Sequence, residues 1–223
     1  TWYANVLVEP TVAAGTYEIR VAYNPQVPFY INSSVFDTID VQGYAVLDFL
    51  EPGNLLNSDS KDRGDTIDVI VRVFDNAGQP VPNAFVEVEL LTTDQLESVI
   101  TNASGLGELT ISIPGDVNPG IFTLHASWDG NVADLGSVGI FGGNETVNFV
   151  VLAYTELTLD SVEGSMIVGE DIWVNGTLTD DAGNPLLGSN GLPAGGLVRL
   201  FVDGLPMATS ISDGSTGAYS IQY

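Results

Sequence analysis

Apolar and polar residues alternate with a period of two along most of this chain. Ile67, Val69, Val71 and Val73 are interleaved with Asp68, Ile70, Arg72 and Phe74. Val86, Val88 and Leu90 are interleaved with Glu87 and Glu89, and Leu109, Ile111 and Ile113 with Thr110 and Ser112. Ile172, Val174 and Leu178 follow the same rule against Trp173, Asn175 and Thr177. A period of two places one set of side chains on one face of a strand, so these segments predict half-buried β-strands. No long stretch carries the 3.6-residue stripe of a helix. Turn chemistry separates the strands at short intervals: Asn76-Ala-Gly-Gln-Pro, Ser104-Gly-Leu-Gly, Asn118-Pro-Gly, Asp129-Gly-Asn, Asp181-Ala-Gly-Asn-Pro and Asp203-Gly. The prediction is an all-β chain of two-sheet sandwiches, with about seven short strands per about 100 residues.

The pattern repeats. Residues 60–81 and 165–186 align without a gap at an offset of 105 residues, with Ser, Gly, Ile, Val, Asp, Ala, Gly and Pro recurring in register. Gly15–Tyr23 matches Gly120–Trp128 at the same offset. Such a period is too long for a helical solenoid and fits a tandem array of small domains. Tyr44 and Tyr154 each open the first strand of a new copy. These marks predict one complete domain over 43–152, the C-terminal part of a domain over 1–42, and the N-terminal part of a domain over 153–223. Ala218–Tyr223 is expected to align with Glu108–Ile113. The leading and trailing pieces together come close to one repeat in length. Two explanations stay open: the sequence is a window cut from a longer array, or residues 1–42 of one molecule complete 153–223 of a neighbour. An isolated half-sandwich exposes apolar faces and unpaired backbone groups, so either explanation calls for a partner. The chain does not begin with Met, and Thr1 is expected to be an internal or processed end.

The segment Phe74-Asp-Asn-Ala-Gly-Gln-Pro-Val-Pro-Asn-Ala-Phe-Val-Glu-Val resembles a hallmark of prokaryotic immunoglobulin-like repeat domains, those of invasin and intimin stalks, S-layer proteins and large adhesins. Asp75, Gly78, Pro80, Val81, Ala84, Val86 and Val88 fill the pattern, and Asp180, Gly183, Pro185 and Leu186 fill its first half again. A later turn, Asn102-Ala-Ser-Gly-Leu-Gly, is paralleled by Ser212-Asp-Gly-Ser-Thr-Gly. The third copy departs from the pattern in a longer Gly-rich loop, Leu187–Gly196, which leaves the register of its next strand open. The resemblance implies an extracellular, cell-surface array of Ig-like sandwiches with a structural role, as stalk, S-layer or filament. The motif itself builds a turn: Asp75 can close an Asx-turn, Gly78 can take positive φ, and Pro80 fixes φ at the exit.

Charge narrows the partners. The chain has 29 acidic and 5 basic residues, for a formal net charge of −24. That surface repels phosphate backbones and anionic headgroups, so neither nucleic acid nor direct membrane insertion is expected. It suits a salty medium, where screening lengths fall below ~8 Å, and points to a halophilic or marine microbe. The expected partners are neighbouring copies of the chain or adjacent Ig-like domains, with a glycan or other cell-surface ligand as the alternative. There are no cysteines, hence no disulfides, thiolate metal sites or Cys nucleophiles.

Three sets of residues carry candidate chemistry. Asn57, Asp59, Asp62, Asp65 and Asp68 cluster between two strands and could supply oxygen ligands to calcium. Their spacing matches no EF-hand, and Lys61 and Arg63 sit among them, so an exposed loop that pairs its own charges competes with the metal reading. No cofactor is required. Four N-x-S/T sequons, at Asn32, Asn102, Asn144 and Asn175, are candidate glycosylation sites, and Asn175 is expected to point outward. His125 is the only histidine and matches Arg20 in the neighbouring copy, as a solvent-facing strand residue would. With no second His and no Cys, the usual nucleophilic triads are excluded and no enzyme activity is expected. Trp2, Tyr3, Tyr23, Phe29, Tyr30, Trp128 and Trp173 are core or interface candidates, with a carbohydrate platform as the alternative.

Overall fold

The computed structural model describes residues 5–24, 32–53, 60–131, 138–160, 169–188 and 192–223. Its regular structure is entirely β. The strands are β1 (Gly15–Tyr23), β2 (Ser33–Val41), β3 (Gly43–Glu51), β4 (Ser60–Asp62), β5 (Thr66–Asp75), β6 (Phe85–Leu90), β7 (Gln95–Ile100), β8 (Leu106–Ser112), β9 (Gly120–Gly130), β10 (Ile140–Leu152), β11 (Thr155–Leu157), β12 (Trp173–Asp180), β13 (Leu197–Val202), β14 (Leu205–Ile211) and β15 (Ala218–Gln222). Contacts divide the chain into two compact units. The first comprises Thr1–Asp59, Ile67–Ile111 and Phe122–Phe149; the second comprises Ser60–Thr66, Ser112–Ile121 and Val150–Tyr223.

The central strands follow the path β7-β6-β9-β10-β3-β5-β8, with β4 beside β10. The path folds over at a short parallel contact, where Ile140 and Phe141 of β10 meet Gly43 and Tyr44 of β3. Both halves turn their alternate residues inward. Ile67, Val69, Val71 and Val73 of β5, Val86, Val88 and Leu90 of β6, and Leu124 and Ala126 of β9 are essentially inaccessible. The period-two reading therefore sorted the faces of β5 and β6 correctly. Each fully buried Val or Leu contributes about 1.5–3 kcal/mol, so these strands hold the sandwich together without cross-links. The two halves meet closely where Val99 of β7 fills the space above Gly107 of β8. Phe122 and Phe149 pack edge-tilted at 5.9 Å in the same core.

The remaining strands copy parts of this sandwich. β1 pairs antiparallel with β2 over their whole lengths, Tyr17 opposite Ile39 and Val21 opposite Val35. By sequence offset this hairpin corresponds to β9–β10. β11 pairs with β12 as β3 pairs with β5: Thr155 lies opposite Asp180, as Ala45 lies opposite Asp75. β13 pairs with β14 and β12 with β15, as β6 pairs with β7 and β5 with β8. A small core of Val174, Val198, Tyr219 and Ile221 holds β12, β13 and β15 together.

Hydrogen bonds settle one register that the sequence left open and correct another. Thr101 Oγ1 accepts the Ala84 N–H at 2.9 Å, and Ser212 Oγ accepts the Gly196 N–H at 2.9 Å. Ala84 and Gly196 are thus equivalent, and the Gly-rich loop adds seven residues, since the offset grows from 105 to 112. Leu197 stands where Phe85 stands and Val202 where Leu90 stands. The last strand also differs from expectation. Gly105 (φ 74°) and Gly217 (φ 73°) both accept a strand N–H, from Val73 and Leu178 respectively, at 2.8 Å. Ala218–Tyr223 therefore aligns with Leu106–Ile111, two residues earlier than alternation indicates. The left-handed glycine pins the register, and a shift of two preserves alternation, so alternation alone cannot detect it.

Candidate functional site

The Asp-x-Ala-Gly-x-Pro motif folds identically in both places. Asp75 Oδ1 accepts the N–H groups of Ala77 (2.9 Å) and Gln79 (2.8 Å), and Gly78 takes φ 78°. Asp180 Oδ1 accepts those of Ala182 (3.0 Å) and Asn184 (2.7 Å), and Gly183 takes φ 79°. Pro80 and Pro185 each bridge back to the strand just left, at Phe74 and Thr179. The carboxylate fixes its own loop, and the fixed loop holds out the next residue, Asn76 in one copy and Asp181 in the other.

That tip residue is the anchor. Within the first unit, Asn76 Nδ2 donates to the carbonyls of Pro10 (2.6 Å) and Val12 (2.9 Å), while its Oδ1 accepts the Tyr44 N–H at 3.2 Å. Within the second unit, the Asp181 N–H donates to the Tyr154 carbonyl at 3.0 Å. Val117 is the offset-105 counterpart of Val12. Its carbonyl again needs a donor, and a carboxylate has none to give. Arg63 supplies it. Its Nη1 donates to Val117 O at 3.3 Å and to Asp180 Oδ2 at 2.8 Å, and its Nη2 donates to Asp181 Oδ1. One amide in the first unit is replaced by a guanidinium and two carboxylates in the second.

The ion pair is interior. The Arg63 side chain is 1% exposed and that of Asp180 7%. The hydrogen bond to Asp180 and the two negative charges push Arg63 further above its ordinary pKa, against the opposing effect of burial. Burial alone would raise Asp180, but the hydrogen bond from Arg63, the N–H groups of Asn184 and Ala182, and the guanidinium charge outweigh it and hold the carboxyl below its usual range. Asp181 is lowered chiefly by its hydrogen bond from Arg63. Arg63 Nε is buried with no partner among the described residues. Around the pair, the Arg63 N–H donates to Leu152 O at 3.0 Å, β4 runs parallel to β10, and Tyr154 Oη donates to Asp62. That bond to Asp62, together with the carboxylate's charge, raises the Tyr154 pKa.

The candidates from sequence fall out as follows. Asn57 and Asp59 lie outside the described residues. Asp62 and Asp65 share the turn into β5, and Asp62 accepts from Tyr154. Asp68 sits on β5 and accepts from Thr110 Oγ1 at 3.0 Å. Among the described residues no three acidic or imidazole side chains converge as a metal site would require. Arg63 does not pair within its own loop; it reaches acids 117 and 118 residues away. Asp180 and Asp181, read from sequence as little more than a turn, are its partners. No local signal could have found this, because the pair is made only when two distant segments meet. Asn32, Asn102 and Asn144 are exposed; Asn175 is half-buried. The Asn102 Oδ1 accepts the N–H groups of Ser104 (2.8 Å) and Leu106 (3.2 Å), and the Thr177 hydroxyl of the Asn175 sequon pairs with Thr158 at 2.8 Å. His125 is half-buried on the face of β9 opposite Leu124 and Ala126, and lies across from Glu89 on β6. Trp128 is buried and its counterpart Tyr23 is exposed. Trp2, Tyr3, Phe29 and Tyr30 lie outside the described residues.

No protein-family model matches the chain, and no curated protein matches it. Solved structures do. A tetra-tandem repeat from the extending region of a large adhesion protein is 14% identical, with a TM-score of 0.38, over 95% of this chain and 49% of that one. A Ca2+-stabilized adhesin with which an Antarctic bacterium binds ice is 13% identical, with a TM-score of 0.31, over 93% of this chain and 48% of that one. A 1.5-MDa bacterial ice-binding adhesin is 14% identical, with a TM-score of 0.34, over 93% and 63%. The chain thus spans about half to two thirds of the length of these structures.

Proposed function

We propose that the chain is a structural, extracellular repeat segment of a cell-surface stalk, S-layer or filament protein, without catalytic activity, whose working part is the clamp at each junction of repeats. One observation carries this reading: the same turn, held out by the same Asp-x-Ala-Gly-x-Pro motif, is anchored at the same backbone position, Val12 or Val117, by two different chemistries. Keeping the geometry while changing the chemistry is what a mechanical joint requires. A hydrogen-bonded anchor resists displacement of a loop at little cost in apolar surface, which suits a strongly acidic chain. The acidic faces keep neighbouring strings hydrated and apart.

Small-angle scattering of the whole chain tests this. Arg63→Ala should give a more flexible scattering profile than the wild type with the β circular-dichroism signal retained. An unchanged profile in a folded variant would remove the joint from the function.

The alternative is an adhesin or carbohydrate-binding repeat with calcium-stiffened junctions. It draws on Asp62 and Asp65, which share one turn next to Asn57 and Asp59 in sequence. A specific signal on a glycan array would favour it. So would a melting temperature that falls with EDTA and recovers with calcium.

A further inference from the structure

We propose that Asn102 carries an N-linked glycan whose first sugar seats in a bowl formed beside it. The fold treats the N-x-S/T sequons differently. Asn102-Ala-Ser lies wholly in the turn between β7 and β8, while each of the others places residues in a strand: 33–34 in β2, 144–146 in β10 and 175–177 in β12. Attachment requires the Asn side chain to reach an enzyme, which a surface turn permits. Asn102, Ala103 and Ser104 are all exposed, whereas the Thr177 hydroxyl is taken by Thr158. Asn102 closes its turn through Oδ1, which accepts the Ser104 and Leu106 N–H groups. The second unit shows that the turn needs no more than that oxygen. There Asp213 stands in the same place. Its N–H donates to Ala218 O at 2.7 Å, as that of Asn102 donates to Leu106 O at 2.8 Å, and its carboxylate accepts the N–H groups of Ser215 and Thr216 at 2.9 Å. The Asn102 amide nitrogen is therefore surplus to the turn.

The bowl lies against the sequon, within the first unit. Arg72, Phe74, Gly78, Pro80, Ala103 and Ser104 line it, and it holds about 430 Å³. Small-ligand sites commonly span roughly 300–1,000 Å³ and combine apolar lining with a few placed polar groups. Phe74 and Pro80 offer apolar surface to the C–H face of a sugar ring. Arg72 is held from two sides: its Nη2 donates to Asp48 at 2.9 Å, and its guanidinium lies 4.9 Å from the centre of the Phe74 ring. Its other N–H groups are thereby oriented as donors for sugar hydroxyls. At the offset of 105, Thr177 and Thr179 stand for Arg72 and Phe74 in the second unit, where Asp213 stands for Asn102. Acceptor nitrogen, aromatic ring and guanidinium thus occur together in one copy and are replaced together in the other. In the transfer, Asn102 Nδ2 attacks the anomeric carbon of a sugar carried on a phosphate or pyrophosphate. The C–N bond forms, the C–O bond to the phosphate breaks with its electron pair leaving on the phosphate, and one amide proton passes to solvent.

The inference rests on the reading of the chain as extracellular, since sequons are used in secreted proteins. Glycopeptide mass spectrometry of the chain from its own cells should find sugar on Asn102. Asn102→Asp keeps the turn oxygen, as Asp213 does, and should abolish that glycopeptide with the β circular-dichroism signal retained. The glycosylated chain should melt a few degrees above the same chain produced in a host without N-glycosylation. Phe74→Ala should shrink that difference. Arg72→Gln, at an exposed side chain, should do the same without disturbing packing. A bare Asn102 in chain exposed at the cell surface overturns the inference and leaves the stalk reading standing; chain confined to the cell interior overturns both. A glycan on Asn102 whose melting difference survives both substitutions overturns the seat in the bowl.

Discussion

Arg63 Nη1 lies 2.8 Å from Asp180 Oδ2, joining residues 117 positions apart through side chains that solvent hardly reaches. Asp180 also closes its own turn through its other oxygen. A single carboxylate thus shapes a loop and fastens it. Removing the arginine leaves the buried Asp180 carboxylate without its cation and the Val117 carbonyl without a donor. Breaking an interior ion pair from one side costs about 3–5 kcal/mol. Arg63→Ala should lower the denaturant midpoint accordingly. Arg63→Lys should recover only part, because one ammonium cannot span Val117 O and both carboxylates.

Acid should loosen the same region. Asp180 and Asp181 have folded pKa values held below the ordinary value, and Asp213 is held at about 2 by the Ser215 and Thr216 hydroxyl and N–H groups. A lowered carboxylate pKa stabilises the fold above the unfolded pKa, about 3.9. That stabilisation is lost as pH falls through the folded value. Thermal midpoints should be level around neutrality and drop below about pH 4. In Asp180→Asn that drop should be smaller and the neutral-pH midpoint already reduced.

The first-unit anchor makes the opposite chemical demand. Asn76 donates to two carbonyls, and Asn76→Asp would set a carboxylate against both. The change is one atom, yet it should cost about 1–3 kcal/mol by leaving acceptors unpaired. Thermal denaturation of the purified chain checks this. Asn76→Gln, which keeps the amide but not its reach, should fall between.

Equivalent positions should answer differently to truncation. Leu124→Ala removes a fully buried side chain and should cost about 2–5 kcal/mol. Ile19→Ala, at the offset-105 position on β1, trims a side chain that is already 36% exposed and should leave the melting temperature almost unchanged. Calorimetry of the two variants checks the contrast.

The repeat, the β class and the inward-facing sets of β5 and β6 were all legible in the sequence. Alternation and turn chemistry are local: each strand needs only its own residues to declare which face is apolar. The Asp75 and Asp180 turns were legible for the same reason, since the carboxylate bonds N–H groups two and four residues on. The tertiary structure alone decided what lies between these elements. It set β15 two residues from the alternation-based alignment, because a glycine at φ 73° and its accepted hydrogen bond outrank a pattern that any even shift satisfies. It also chose the partner of Arg63. By sequence, nearby Asp62 and Asp65 were the obvious acids. Side-chain pairing depends on distance in space, and the folded chain brings Asp180 and Asp181 to a guanidinium already shielded from water, where the attraction is strongest.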